Sequence, residues 1–324
     1  MKILLTGGAG FIGSWVGERM VDLGHEVVCI DNFNEFYEPE IKRANLRSAL
    51  SGPRFALCEG DITDRKLLDD VFAEVQFDAI VHLAAWAGVR PSIEHPEIYE
   101  EVNVGGTLNL LQRARYNRVP RFVFASSSSV YGGRTDPPFS EDDVVARPVS
   151  PYAATKLAGE VLCHTYHHLF DISVTCLRYF TVYGPRQRPE MAIHKFARLM
   201  HQGRPVPLFG DGTSSRDYTF IDDIVDGTVR AFERCEGYEV INLGESRTTT
   251  LVELVRTVGA ALGVEPEIEW LPDQPGDVPI TFADVSKARE KLGYAPSTPV
   301  EIGVQRFVEW YLSGPGIKDR AKRR

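Results

Sequence analysis

Near the start of this chain a short apolar run, a glycine cluster and a helix-length segment follow one another directly. That junction limits the possible folds more than any other feature. Residues 3–6 are apolar, and Gly7-Gly8-Ala9-Gly10-Phe11-Ile12-Gly13 leads into a helical pattern over 11–23. Gly8, Gly10 and Gly13 fit G-x-G-x-x-G, while Gly7, Gly10 and Gly13 fit the wider G-x-x-G-x-x-G. Glycine permits a tight turn and lets backbone approach a pyrophosphate closely. The helix that follows offers unpaired N–H groups and the positive end of its dipole to that anion. A glycine motif alone is weak evidence, but this one sits between strand and helix, where the mechanism needs it. A second strand then ends at Ile30-Asp31-Asn32. Asp31 is placed to accept bonds from the adenosine ribose, and no arginine directly follows it to receive a 2′-phosphate. The sequence therefore predicts NAD rather than NADP.

The same alternation continues. Residues 27–30, 55–58, 79–83, 122–125 and 174–177 read as strands, and 67–75, 98–115 and 152–170 as helices. Strands alternating with helices at this spacing predict an α/β fold, a parallel sheet covered on both faces. From about Thr181 the alternation weakens, with helical patterns at 192–202, 223–234, 251–262 and 302–312. A chain of 324 residues exceeds one typical domain. The expected division is a cofactor domain over 1–180, to which some later segments return, and a substrate domain over 181–324.

A net charge of −9 argues against a surface built for nucleic acid. The basic stretch 318–324 reads as a solvated tail. Five scattered cysteines, with no C-x-x-C pair, read as reduced, and Cys29, Cys58 and Cys176 as core residues. The first apolar run is too short for a signal peptide and no later run reaches membrane-spanning length. The expectation is a soluble, cytoplasmic protein with no membrane partner.

Further residues carry chemistry. Asp61, in Gly60-Asp61-Ile62-Thr63-Asp64, could reach the adenine amine or cap a helix, a role Thr63 or Asp64 could share. His82-Leu83-Ala84-Ala85 ends a strand, with small residues that let backbone near a cofactor; His82 reads as a buried, hydrogen-bonded histidine. Ser126-Ser127-Ser128-Ser129 follows another strand, at the carboxyl end where parallel sheets bind ligands. Tyr152 and Lys156 lie four apart on one helical face. A phenol titrates near ~10, and bringing it to neutrality takes about 4 kcal/mol. One cation at ~4 Å in an effective dielectric of ~20 supplies about that much, so the pair could act as a base.

Taken together and in order, the glycine loop, Asp31, Asp61-Ile62, His82-Leu83-Ala84-Ala85, Asn103, the serine run and Tyr152…Lys156 resemble the extended short-chain dehydrogenase/reductase superfamily. Within it, Phe209-Gly210-Asp211-Gly212-Thr213-Ser214-Ser215-Arg216 and Pro275-Gly276-Asp277-Val278 resemble nucleotide-sugar epimerases and dehydratases. The resemblance implies a Rossmann-type doubly wound sheet with a smaller α/β substrate domain. It implies NAD contacts at Gly7, Gly10, Phe11, Ile12, Gly13, Asp31, Asn32, Asp61, Ile62, Leu83, Ala84, Ala85 and Asn103. It implies that Tyr152 takes the proton of a sugar 4-hydroxyl, that Lys156 holds the nicotinamide ribose and lowers the Tyr152 pKa, and that Ser127 is the catalytic hydroxyl with Ser128 beside it. Arg216 would contact the UDP diphosphate and Asp277 the uridine ribose. Val206, Pro207 and Leu208 would pack on uracil or simply in the core, and Lys195 could approach the diphosphate. Family members usually dimerise through two helices from each subunit, here 98–115 and 152–170, which implies a homodimer.

The sugar is chosen by finer features. Related 4,6-dehydratases carry Asp-Glu where this chain has Ser128-Ser129, and two serines supply neither acid nor base. Galactose epimerases usually have Asn at the Thr181 position. Pro185-Arg186-Gln187-Arg188-Pro189, with Ala87-Gly88-Val89-Arg90-Pro91-Ser92 upstream, resembles UDP-glucuronate 4-epimerases. An arginine fork suits a sugar carboxylate, with Arg188 the first candidate and Arg186 and Arg90 behind it. The resulting expectation is an isomerase that interconverts UDP-glucuronate and UDP-galacturonate through a transient 4-keto sugar. UDP-glucose or UDP-N-acetylglucosamine epimerisation, UDP-glucuronate decarboxylation, and a non-catalytic NAD sensor are the alternatives. This chemistry needs no metal, and His164, His167 and His168 read as a solvated or interface face.

Overall fold

The computed structural model describes residues 1–272 and 278–314. Asp277 and the basic stretch 318–324 lie outside the described residues. The first half runs β1 (Lys2–Thr6), α1 (Phe11–Asp22), β2 (Glu26–Asp31), α2 (Pro39–Asn45), β3 (Phe55–Glu59), α3 (Arg65–Glu74), β4 (Ala79–His82), α4 (Val89–Glu94), α5 (Pro96–Tyr99), α6 (Thr107–Tyr116), β5 (Arg121–Ser127), α7 (Pro151–Phe170) and β6 (Ser173–Tyr179). The second runs β7 (Thr181–Tyr183), α8 (Ala192–His201), β8 (Val206–Phe209), β9 (Ser215–Arg216), β10 (Tyr218–Phe220), α9 (Ile221–Glu233), β11 (Tyr238–Leu243), β12 (Thr249–Thr250), α10 (Leu251–Leu262), β13 (Ile268–Leu271), α11 (Ser286–Leu292) and α12 (Val300–Leu312).

Seven strands form one sheet in the order β11-β6-β5-β4-β1-β2-β3, every pair parallel. The expected doubly wound parallel sheet is present. On β1, Ile3 and Leu5 face one hydrophobic core while Leu4 faces the other. That alternation, with both sides buried, explains why the strand reads as an unbroken apolar run. The winding reverses between β1 and β4, and the crevice beyond their carboxyl ends is where such sheets hold ligands. β11 arrives from far along the chain, its Tyr238 opposite Val174 of β6. The remaining strands make small pairs, β7 with β10, β8 with β13 and β9 with β12.

Local chemistry explains most boundaries. Ser150 caps α7 by accepting from Ala153 N–H at 3.1 Å, and Pro151 opens the helix. Asp64 caps α3, accepting from Lys66 and Leu67 N–H. The segment 98–115, expected as one helix, is helical throughout, but its middle is not α-helical. Between α5 and α6 lies a wider π-type turn, Glu100–Gly106. There the Asn103 amide bonds both backbone groups of Trp86, at 2.8 and 3.0 Å, and Gly106 lets Ile62 approach. Cys29 and Cys176 are buried, but Cys58, expected in the core, is half-buried because β3 is an edge strand.

Candidate active site

A cavity of about 500 Å³ opens at the carboxyl ends of the central strands. Its floor is the glycine loop. Gly7 has φ +73°, and a Cβ there would meet Ala84 N at 2.6 Å; a Cβ on Gly13 would collide with the Gly7 carbonyl. Only glycine leaves that cradle open. Asp31, on the same wall, accepts from Ala9 N–H and Phe33 N–H, both at 2.9 Å. Burial raises its pKa, and those two amides oppose the rise. Two amides leave a carboxylate with capacity for further donors. The carboxylate also pins the loop that follows Gly7. Asp61 accepts from Asn32 Nδ2 at 2.6 Å and from Thr63 N–H and hydroxyl; the helix cap itself is Asp64. Leu83, Ala84, Ala85, Phe11, Ile12 and Ile62 line the cavity as well. An elongated dinucleotide fits this arrangement: an open glycine cradle, a carboxylate eighteen residues on, and a lysine farther along the same cavity.

His82 lies beneath, its Nδ1 2.7 Å from the Thr6 hydroxyl and Nε2 2.9 Å from the Thr107 hydroxyl. Burial pushes its pKa down to about 3, so it is neutral. His164 packs edge-on against Tyr238, and His167 Nδ1 donates to the Ile172 carbonyl. Among the described residues no group of three or more His, Cys, Asp or Glu is placed to hold a metal ion.

Tyr152, Lys156, Ser127 and Ser128 meet on the cavity wall. The Ser127 hydroxyl accepts from Ser129 N–H at 3.2 Å and stands beside the Tyr152 phenol, opposing the rise in its pKa. Lys156 Nζ donates to the Ala125 carbonyl at 2.7 Å and lies 6.0 Å from the centre of the Tyr152 ring. The expectation that the ammonium depresses the phenol pKa is not met by these contacts. Burial raises the Tyr152 pKa, and Ser127 and Arg188 are what oppose it. The ammonium is turned toward a carbonyl, and burial lowers its own pKa to about 8.

Arg188, Thr181 and Arg216 also line the cavity. Arg188 lies over the Phe36 ring at 5.4 Å and pairs with Glu190 at 3.0 Å. Arg186 is not on that wall: it pairs with Glu18 at 2.9 Å and stacks on Trp15 at 4.1 Å. Its φ of +69° turns the chain sharply just before Arg188. Arg90 is exposed and lies over the Phe209 ring at 5.3 Å. It joins Arg198 in lowering the Lys195 pKa, after burial, so these cations gather outside the cavity lining. Val206 and Leu208 are fully buried in the core and only Pro207 is half-buried, so core packing, not an open uracil face, describes the first two. Asn103 acts from behind the wall, through Trp86 and the Thr155 hydroxyl.

The sequence reading missed Asn34, Phe36, Tyr37 and Lys42 on the lining. Lys42 Nζ donates to the Asn34 carbonyl at 2.6 Å and to its side-chain oxygen at 2.7 Å. The Tyr37 hydroxyl is buried without a hydrogen-bond partner among the described residues. An aromatic pair inside the polar stretch 32–38 was the available signal.

Comparison with known proteins agrees with this geometry. Residues 3–244 match the family described as NAD dependent epimerase/dehydratase family. A UDP-glucuronate 4-epimerase of Thermodesulfobacterium geofontis is 41% identical over 308 residues, covering 95% of each chain. The crystal structure of UDP-glucuronic acid 4-epimerase from Bacillus cereus, in complex with UDP-glucuronic acid and NAD, matches at a TM-score of 0.90. It is 38% identical and is covered over 97% of this chain and 99% of its own. A Thermotoga maritima UDP-glucose 4-epimerase with UDP-glucose matches at 0.89 and 32% identity, over 97% and 99% of the two chains.

Proposed function

The chain belongs to the NAD-dependent epimerase/dehydratase family, and on that premise we propose that it is an isomerase that interconverts UDP-glucuronate and UDP-galacturonate. One observation carries the choice of sugar: Arg188 shares the cavity wall with Tyr152 and acts on its phenol electrostatically. A cation within reach of the group that handles the C4 hydroxyl is placed for the carboxylate on the neighbouring carbon.

NAD, held by the glycine cradle and Asp31, supplies the acceptor and donor for the hydride at C4. The chain's own residues handle the proton. The phenol oxygen of Tyr152 accepts it from the sugar 4-hydroxyl and later returns it, with Ser127 as the intervening hydroxyl. Lys156 supports the phenolate once the proton has moved. Ser128 and Thr181 line the sugar end, and Arg216 is assigned to the diphosphate, with Lys195 and Arg90 outside the lining. Arg188 has a second task. Oxidation at C4 makes the sugar a β-keto acid, and a paired carboxylate held near the ring plane resists loss of CO₂.

We place the protein as a homodimer joined through α6 and α7, whose surface carries Tyr116, Val161 and Leu169 at 69%, 59% and 60% exposure. A reducing, cytoplasmic setting fits its five unpaired thiols. Among the described residues no helix is long and apolar enough to cross a membrane.

Incubation with UDP-glucuronate, UDP-glucose and UDP-N-acetylglucosamine, followed by product separation, tests the reading. UDP-galacturonate should form fastest, and Arg188→Ala should slow that reaction by about 10²-fold while sparing any turnover of UDP-glucose. UDP-xylose or a 4-keto pentose without UDP-galacturonate would sink it.

A further inference from the structure

One turn beyond Lys156, on the same side of α7, stands Glu160, 3% exposed. Tyr152, Lys156 and Glu160 thus form a stripe at i, i+4 and i+8. Each member meets one of three consecutive residues at the end of β5. Ser127 stands beside Tyr152 and opposes the rise in its pKa, the Ala125 carbonyl accepts from Lys156, and the Ser126 hydroxyl donates to Glu160 at 2.5 Å. The carboxylate is also forked by Arg178 of β6, from Nε at 2.9 Å and Nη2 at 2.8 Å. Arg178 lies over the Tyr131 ring at 4.8 Å, and the Tyr131 hydroxyl donates to Asn242 of β11 at 2.7 Å. A buried ion pair is weak as a source of stability, since desolvating both ions offsets their attraction. Its position is more informative than its strength.

We propose that Glu160 is a positioning residue for the Tyr152 and Lys156 pair: by holding Ser126 it fixes Ser127 against the phenol, and its charge favours the ammonium form of Lys156. This rests on reading Tyr152 and Lys156 as the proton-handling pair. The groups facing Lys156 are few. On α7 they are Tyr152, Glu160 and Cys163; from β5 come the Ala125 carbonyl and the Phe124 ring at 5.2 Å; from β4 comes neutral His82. Burial lowers the Lys156 pKa, and Cys163 and Glu160 oppose that. Among these groups Glu160 supplies the carboxylate, with the Arg178 guanidinium forked onto its far side.

Glu160→Gln keeps the shape and an acceptor for Ser126 but removes the charge. The experiment follows the Lys156 Cε resonance in lysine-labelled protein across pH, assigned with Lys156→Arg, alongside the pH profile of kcat. In Glu160→Gln the Lys156 midpoint should fall by about one pH unit, and the alkaline limb of kcat should move down with it while KM stays within about twofold. An unmoved midpoint overturns the electrostatic role. Ser126→Ala keeps the ion pair; kcat should fall about tenfold with the Lys156 midpoint unchanged, and an unchanged kcat overturns the positioning role. If the uncompensated Arg178 prevents Glu160→Gln from folding, Glu160→Gln/Arg178→Met removes both charges at once; the lost cation offsets the lost anion, so the Lys156 midpoint should fall by less than in Glu160→Gln, while an unchanged kcat would overturn the positioning role. Should the wild type leave UDP-glucuronate untouched, the substrate reading fails, while the Lys156 titration still decides the charge question.

Discussion

Glu245 shows how one residue's surroundings set a measurable property. Its Oε2 is buried without a hydrogen-bond partner among the described residues. Burial pushes its pKa up to about 7, with Asp223 and Asp217 adding to the rise and Arg247 opposing it. An unfolded glutamate titrates near ~4.3. Between those values the folded chain keeps a proton that the unfolded chain has released, so stability falls as pH rises through that window. Glu245→Gln should therefore differ little from wild type in urea midpoint near about pH 5 and be more stable near about pH 8. Equal differences at both pH values would contradict it. No pattern in the sequence marks Glu245, because the effect comes from carboxylates on separate segments. Arg186 and Arg188 make the same point. They are two residues apart and chemically identical, and only the left-handed backbone at Arg186 separates one that meets Glu18 from one that meets the cavity. Gly13 and Asp31, by contrast, were legible because a phosphate cradle fixes both residue type and spacing. Lys42 and Tyr37 were not, since an irregular loop and the short α2 carry them inward.

Elements were legible where one force dominates. Six of the seven sheet strands, β1 to β6, with α1 and α10, follow from apolar period and glycine punctuation, and their ends came within a residue or two; β11 was not delimited from the sequence. The 98–115 segment is helical as its apolar spacing predicts, but that spacing did not show the wider π-type turns at Glu100–Gly106, where Asn103 and Gly106 sit. α7 matters most to the chemistry, because its first turn carries Tyr152. Its cap is one hydroxyl, so Ser150→Ala should cost about 1 kcal/mol in denaturant unfolding. Tyr152 lies two residues inside that cap, so kcat should drop more than the KM for UDP-glucuronate changes. A loss of stability with kinetics intact would show that the first turn is held from elsewhere, for instance by Ser92, whose hydroxyl accepts from Tyr152 N–H at 3.1 Å.

At the scale of the molecule, the sheet and the site are built from both halves of the chain. Thr181, Arg188, Arg216 and Thr281 reach the same cavity as the glycine loop, and Asn242 of β11 ties into the Tyr131–Arg178–Glu160 chain. A fragment ending at residue 180 should expose the outer edge of β6 and associate in sedimentation runs, whereas one ending at 244 should sediment as a smaller, defined species; the reverse order would contradict this. The position of β11 also has a bearing on synthesis. About 60 residues must emerge after β6 before its neighbour exists, which at about 5–20 residues per second leaves that edge bare for roughly 3–12 s on the ribosome. During that interval the nascent chain presents an unpaired parallel strand to its surroundings, and a chaperone that shields β edges would act on this protein then.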